Sequence, residues 1–196
     1  MAEFIFICGK NAELARAELE CYLKAKGAAF EIKDSSDEFL VVQAEALPAK
    51  TMEELGGTLK IAEVLFSSNS RDIEAIADEI LASVDMDGLF GKLPDKALFA
   101  VSAYNRREDH ELLSEFFKKI MKDYIKGPGY VHIAEGSAMS HTDVLKKRLI
   151  EEGMELLACR GRKFWLGKTS AVHNPFEFRK RDLEKPAQRP MLSIPP

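Results

Sequence analysis

The sequence lacks any apolar run long enough to cross a membrane, since the longest candidate, Phe4–Cys8, has only the length of a strand. Its first residues lack the charged start, the long apolar stretch and the small-residue cleavage site of a secretory signal. Cysteine is scarce, and the odd count of three does not suggest a disulfide framework. We therefore expect a cytoplasmic protein with reduced thiols and no membrane partner.

Sequence motifs for catalysis and cofactor binding are also missing. No phosphate-binding loop, dinucleotide-binding glycine pattern or nucleophile elbow occurs, and neither does a CxxC or HxxxH spacing. The four histidines are scattered, so a metal site is not expected. Cys159 lies near a cationic segment, but a small buried apolar residue explains it better than a reactive thiol. We expect no catalytic residue, metal or cofactor within these 196 residues.

Positive charge, in contrast, is concentrated near the C-terminus. The whole chain has 28 basic and 32 acidic residues, a net charge of −4. The segment Arg160–Arg189 alone has nine basic and three acidic residues. An acidic protein that gathers cations in one segment is typical of polyanion binding, although a solvated tail that keeps the protein soluble explains the same composition.

The first third of the chain alternates between strand and helix patterns. A helix is predicted from its N-cap Asn11 to Gly27, and a shorter one at Lys50–Leu55. Apolar runs predict strands at Glu3–Cys8, Ala29–Ile32, Phe39–Gln43 and Ile61–Phe66. The resulting order, β-α-β-β-α-β, is that of a ferredoxin-like domain and predicts an N-terminal domain over residues 1–68.

The rest of the chain predicts a second domain over residues 69–173 and a proline-rich linker over residues 174–196. Ser70 and Ser140 are expected to cap two of its helices. The predicted helices are Ile73–Val84, Leu112–Tyr124 and Ser140–Glu152. The predicted strands are Ala97–Ala103, Tyr130–Ala134, Met154–Cys159 and Lys163–Val172. The fold class is therefore α+β, with an α/β-like second half.

The candidate binding residues are the cations of the second half. The free N–H groups at the start of the Ser140 helix, together with Ser137, are a candidate phosphate site. Trp165 lies between cations, but a core residue is a simpler interpretation than a base-stacking platform. The predicted RNA-binding residues are Arg106, Arg107, Lys146, Lys147, Arg160, Arg162, Lys163, Lys168, Arg179, Lys180 and Arg181.

Several short motifs follow one another in the C-terminal third. They are Gly167-Lys168-Thr169, Asn174-Pro175, Arg181-Asp182, Lys185-Pro186, Met191-Leu192 and Pro195-Pro196. Together they resemble the segment that joins the THUMP domain to the methyltransferase domain in archaeal-type tRNA guanine-N2 methyltransferases, with Lys185 where the family has arginine. Two earlier stretches, Glu13–Leu23 and Leu55–Leu65, resemble the N-terminal ferredoxin-like domain of the same family.

The resemblance implies a ferredoxin-like domain followed by a THUMP domain, with tRNA as the partner and its acceptor end held by the THUMP domain. The sequence stops at Pro196, where the family's methyltransferase domain begins. S-adenosylmethionine and the catalytic Asn/Asp-Pro-Pro-Tyr motif are therefore expected in a further domain. Asn174-Pro175 is not that motif, because Phe176 follows it.

Three other interpretations remain open at this point. The chain could be a stand-alone RNA-binding adaptor, or a small-molecule regulatory module built on the ferredoxin-like sheet. The THUMP domain also occurs in tRNA thiolation enzymes, although the linker motifs favour the methyltransferases.

Overall fold

The computed structural model describes residues 1–91, 93, 98–106, 108–124 and 138–176. Over these ranges the protein has seven strands and six helices, and the predicted α+β fold class is confirmed. The predicted strand Tyr130–Ala134 and residues 177–196 of the predicted linker lie outside the described residues. The strands are β1 (Ala2–Cys8), β2 (Phe30–Ser35), β3 (Phe39–Ala44), β4 (Thr58–Ser68), β5 (Leu98–Tyr104), β6 (Gly153–Arg160) and β7 (Phe164–Val172). The helices are α1 (Ala12–Ala25), α2 (Thr51–Glu54), α3 (Ile73–Ser83), α4 (Met86–Phe90), α5 (Asp109–Tyr124) and α6 (His141–Lys146).

All seven strands belong to one sheet, in the order β2-β3-β1-β4-β7-β6-β5. The β-α-β-β-α-β order predicted for the first third is the observed order. Strand β4 pairs with β7 in antiparallel fashion from Lys60 to Ser68, so the sheet continues past the predicted boundary at residue 68 without interruption. The division into two domains stays a prediction.

Five helices lie on one face of the sheet. On β1 and β3, α1 and α2 bury an apolar cluster that includes Phe4 and Leu19. Helices α3, α4 and α5 bury a second cluster against β5, β6 and β7 that includes Leu156. In the strand register Phe4 pairs with Glu63, Glu63 with Lys168, and Lys168 with Leu156. Because residues paired across strands point to the same face, the two helical layers share that face.

The opposite face of the sheet is strongly curved. Strands β2 and β5 are the two edges of the sheet, yet Glu38 in the β2–β3 hairpin accepts a hydrogen bond from the backbone N–H of Asn105, just after β5, at 2.5 Å. An edge strand can contact the other edge only if the sheet curls onto itself. The curl encloses a further apolar core. Its buried members are Ile5, Ile7, Phe39, Val41, Ala62, Tyr104, Leu157, Cys159 and Trp165.

Two of the predicted helix caps are confirmed and one is wrong. The side chain of Asn11 accepts a hydrogen bond from the backbone N–H of Leu14 at 3.0 Å. Ser140 accepts one from the N–H of Asp143 at 3.1 Å. Ser70 does not cap α3; Asp72 does, because its carboxylate reaches the N–H of Glu74 at 3.1 Å.

The helix predicted to run to Glu152 is shorter in the structure. Helix α6 ends at Lys146, and Arg148 adopts a left-handed backbone with φ of 51°. The chain leaves the helix there and buries Leu149 against the sheet. Gly153, expected just after the helix, is the first residue of β6. Helix α4 was not predicted, because Asp87-Gly88 indicates a helix end but lies inside it.

Candidate nucleic-acid interface

The side chain of Arg160, at the end of β6, is largely buried and paired. Its Nη2 lies 2.8 Å from Oδ2 of Asp109, and its Nη1 donates a hydrogen bond to the backbone oxygen of Ser70 at 3.0 Å. The two side chains of the ion pair are 9% and 4% exposed. The guanidinium thus ties β6 to the start of α5 and to the segment before α3. Its contribution is to the fold, and contact with RNA stays a prediction.

Arg106 and Arg162 also face carboxylates. Nε of Arg106 lies 2.8 Å from Oε1 of Glu108, and this hydrogen bond, with the charge of Asp109, raises the pKa of the guanidinium. Nε of Arg162 lies 3.4 Å from Oδ1 of Asp34, but the arginine side chain remains 76% exposed. Two of the three described arginines in the predicted set are therefore neutralised at the surface, and the third in the interior.

The described lysines of the predicted set differ from the arginines. No carboxylate of the described residues forms an ion pair with Lys146, Lys147, Lys163 or Lys168. The ammonium group of Lys163 lies 5.9 Å from the centre of the Trp165 ring. Lys168, in the middle of β7, is half-buried on the helix-bearing face beside Glu63. Among the described members of the predicted set, these four lysines are the ones without a carboxylate partner.

The predicted cations lie in three places. Lys146 and Lys147 come before β6, whereas Arg160, Arg162 and Lys163 come at its other end. The eight residues of β6 separate the two groups by about 23 Å. Lys168 lies between them along the sheet. Arg107, Arg179, Lys180 and Arg181 lie outside the described residues.

The residues at this surface that sequence reasoning missed are the carboxylates Asp34 and Asp109, which pair with its arginines. Asp34 is fully buried, and its Oδ2 accepts hydrogen bonds from Nε1 of Trp165 at 2.8 Å and from the backbone N–H of Lys163 at 3.2 Å. In the sequence Asp34 opens a polar turn, and Asp109 ends one. Nothing local distinguishes them from solvent-exposed turn residues, because their partners are distant in the chain.

Trp165, Cys159 and the start of α6 are the other candidate binding or reactive features of the second half. Trp165 is buried and belongs to the core, as expected. Burial raises the pKa of the Cys159 thiol well above its usual value, which agrees with a buried apolar role. The N–H groups at the start of α6 are partly satisfied by Ser140 within a helix of only six residues, and Ser137 lies outside the described residues.

A buried ionic network lies on the curved face of the sheet, opposite helices α1–α5. Nζ of Lys60 lies 2.5 Å from Oε1 of Glu155 and donates to the backbone oxygen of Met139 at 2.7 Å. The Glu155 carboxylate also accepts hydrogen bonds from Ser102 at 2.6 Å and Thr169 at 2.7 Å. The lysine and glutamate side chains are 2% and 0% exposed. The network links β4, β5, β6 and β7 to the segment before α6.

The pKa values of two histidines predict how the stability of the fold depends on pH. Burial lowers the pKa of both His110 and His141 below the ordinary value of 6.5, and for His141 the neighbouring His173 and Lys60 lower it further. In the folded protein these rings take up a proton at lower pH than in the unfolded chain, so below about pH 6.5 the unfolded chain binds more protons and folding weakens. Above that pH both states are neutral and neither ring contributes. We expect the urea midpoint to fall between about pH 7 and pH 5 less steeply in a H110Q/H141Q variant. If the urea midpoint depends on pH equally in the variant and in the unsubstituted protein, the assignment to these histidines is wrong.

Other kinds of site are not found in the described part of the chain. Its His, Cys, Asp and Glu side chains nowhere come together in a group of three that could hold a metal ion. None of its helices combines the length and apolar character that crossing a membrane requires.

Comparison with known proteins gives a likeness of fold. No protein-family model matches the sequence, and no curated protein matches it. The structure resembles that of TrmN from Thermus thermophilus with a TM-score of 0.51 and 12% identity, covering 88% of this chain and 46% of that one. At this identity the likeness shows a shared fold alone.

Two further solved structures are less similar. A predicted N6-adenine-specific DNA methylase from Listeria monocytogenes gives a TM-score of 0.46 and 9% identity, covering 86% of this chain and 40% of that one. A 4-thiouridine synthetase in complex with RNA and bound ATP gives 0.45 and 15%, covering 88% of this chain and 42% of that one. The chain therefore spans less than half the length of each of these three proteins.

Proposed function

We propose that this chain is the RNA-binding portion of a tRNA-modifying enzyme. The observation that carries the proposal is the fold that 88% of the chain shares with TrmN. The chain covers only 46% of that protein, which supports a role as one part of a larger enzyme. The linker motifs that include Gly167-Lys168-Thr169 and Asn174-Pro175 favour a THUMP-containing tRNA guanine-N2 methyltransferase.

In this proposal the chain binds tRNA and a further domain performs the chemistry. The THUMP region holds the acceptor end, and S-adenosylmethionine binds in the further domain. The residues of this chain contribute positioning, because phosphate contacts fix the register of the RNA without transferring any group.

The lysines without carboxylate partners are the proposed phosphate contacts. Lys163 and Lys168 are five residues apart in and beside β7, and neither forms an ion pair with a described carboxylate. A cationic group that is already paired with a carboxylate must exchange that partner before it contacts phosphate, whereas an unpaired cation does not. We therefore place Lys163 and Lys168 ahead of Arg106, Arg160 and Arg162 as contacts.

A pair of lysine substitutions tests the proposal. We expect a K163A/K168A variant to bind tRNA several-fold more weakly, because two phosphate contacts are lost. The slope of log affinity against log salt concentration should become shallower by about 1.4 to 1.8, which fluorescence anisotropy in a salt series measures. The control is K10A/K24A, which removes two exposed lysines at the ends of α1, one without a described ion pair and one 3.9 Å from Glu20.

The same assay locates the contacting surface. A K146A/K147A variant tests the cations at the other end of β6. If K163A/K168A binds tRNA with unchanged affinity and unchanged salt slope, the β7 lysines are not phosphate contacts. If K10A/K24A reduces binding as much, the attraction is non-specific.

A further inference from the structure

An apolar groove runs between α3 and α5 on the outer surface of the protein. It has a volume of about 490 Å³. Leu81 on α3 and Leu112 on α5 line it and are 50% and 53% exposed. The other apolar lining residues are Ile73, Ala77, Leu113 and Phe116.

The groove is not a consequence of poor packing beneath these helices. The inner side of α3 already buries Ile76 and Ile80 completely, and α5 buries Leu113 and Phe117. Leu81 and Leu112 form a second apolar stripe that points away from this core. A large apolar side chain left half in water on each of two adjacent helices indicates an interaction surface.

The rim of the groove is acidic. Glu74 and Asp78 on α3 line it, and neither forms an ion pair with a described cation. Glu115 on α5 also lines it but lies 3.1 Å from Lys118, and Lys119 is the one cation among the described lining residues. Helix α3 has no lysine or arginine. This charge disfavours RNA and anionic lipid, and it disfavours a second copy of the chain placed by the same surface, because like charges would face each other.

We propose that this groove binds a basic amphipathic helix of another protein. The apolar side of such a helix would cover Leu81 and Leu112, and its lysine or arginine residues would lie against Glu74 and Asp78. With 11 residues, α3 is about 16 Å long and offers room for roughly three turns of a bound helix. The site is separate from RNA binding, so it goes beyond the proposed function and does not depend on it.

Two model peptides test the charge and the apolar face together. Both are helices of about 18 residues with leucine on one side. One carries lysine on the other side, and its counterpart carries glutamate. With the full chain we expect the lysine peptide to bind at least about tenfold more tightly than the glutamate peptide in fluorescence anisotropy. Equal binding of the two peptides would overturn the proposal.

Substitutions in the groove identify the site. An L81S/L112S variant should bind the lysine peptide about tenfold more weakly, because the exposed apolar anchors are gone. An L14S variant is the matched control, since Leu14 on α1 is 66% exposed but lies outside the groove. An E74K/D78K variant should reverse the preference toward the glutamate peptide. The three leucines are exposed, so unchanged thermal unfolding of these variants checks that the fold is intact.

The remaining outcomes also decide the question. A loss of binding in L14S equal to that in L81S/L112S means that the peptide adheres to any exposed leucine, which overturns the proposal. Direct tRNA binding that the L81S/L112S substitutions abolish assigns the groove to RNA instead. Concentration-dependent self-association that L81S/L112S abolishes assigns it to a second copy. Both of these outcomes likewise overturn the proposal.

Discussion

A K60M variant is expected to lose about 3–5 kcal/mol of unfolding free energy. Methionine is close to lysine in length but cannot neutralise Glu155, whose side chain is 0% exposed, or donate to the backbone oxygen of Met139. The variant therefore leaves a charge in the interior without its counter-ion, which is among the most destabilising changes a core can undergo. Urea unfolding followed by circular dichroism measures the loss.

The same substitution at a surface ion pair is the control. Lys26 lies 2.7 Å from Glu54, and the two side chains are each 40% exposed. Water solvates both charges there, so K26M should leave the urea midpoint nearly unchanged. A K60M/E155M double variant should be more stable than the sum of the two single losses predicts, because it removes both buried charges. If K60M behaves like K26M, the buried pair does not stabilise the fold.

Local patterns account for most of the strands and helices. Phe4 and Phe6 alternate with Ile5 and Ile7 between two buried faces, and this gives the continuous apolar run that predicts β1. Helix α1 is recognisable because Asn11 caps its start, and Gly27, with φ of 69°, follows its end. These signals depend on neighbours in the sequence, so the sequence contains them.

The pairing that joins the N-terminal and C-terminal strands into one sheet could not be predicted from local sequence patterns. The pairing of β4 with β7 brings Lys60 opposite Val172, more than 100 residues later in the chain. Nothing in the neighbouring sequence indicates that Lys60 is buried, because an unpaired lysine is almost never buried. Its partner Glu155 is 95 residues away, and no local pattern relates the two.

The candidate interface shows the same limit. A count of charges treats all basic residues of the second half as equivalent. The structure divides them, because Arg160 meets Asp109 from 51 residues away and Arg162 meets Asp34 from 128 residues away. Local charge density therefore predicts the second half of the chain as the binding region, but it does not indicate which of the described cations there remain unpaired.

A D34A variant should lose about 2–4 kcal/mol of unfolding free energy. The carboxylate of Asp34 is buried and accepts hydrogen bonds from Nε1 of Trp165 and from the backbone N–H of Lys163. Alanine leaves both donors without an acceptor and opens space beside the indole. Trp165 is the one tryptophan of the chain, so its fluorescence reports this site alone. We expect a red shift of its emission in D34A as water reaches the ring.

Two further variants separate the hydrogen bonds from the charge of Asp34. D34N keeps the size and one carbonyl acceptor, so it should retain the Trp165 bond and lose less stability than D34A. R162A removes a partner that is 76% exposed and should change stability little. Because Asp34 fixes the backbone at Lys163, D34A should also weaken tRNA binding if Lys163 contacts phosphate. Equal stability and tryptophan emission in D34A and D34N would mean that the charge of Asp34, rather than its bond to Trp165, joins β2 to the β6–β7 turn.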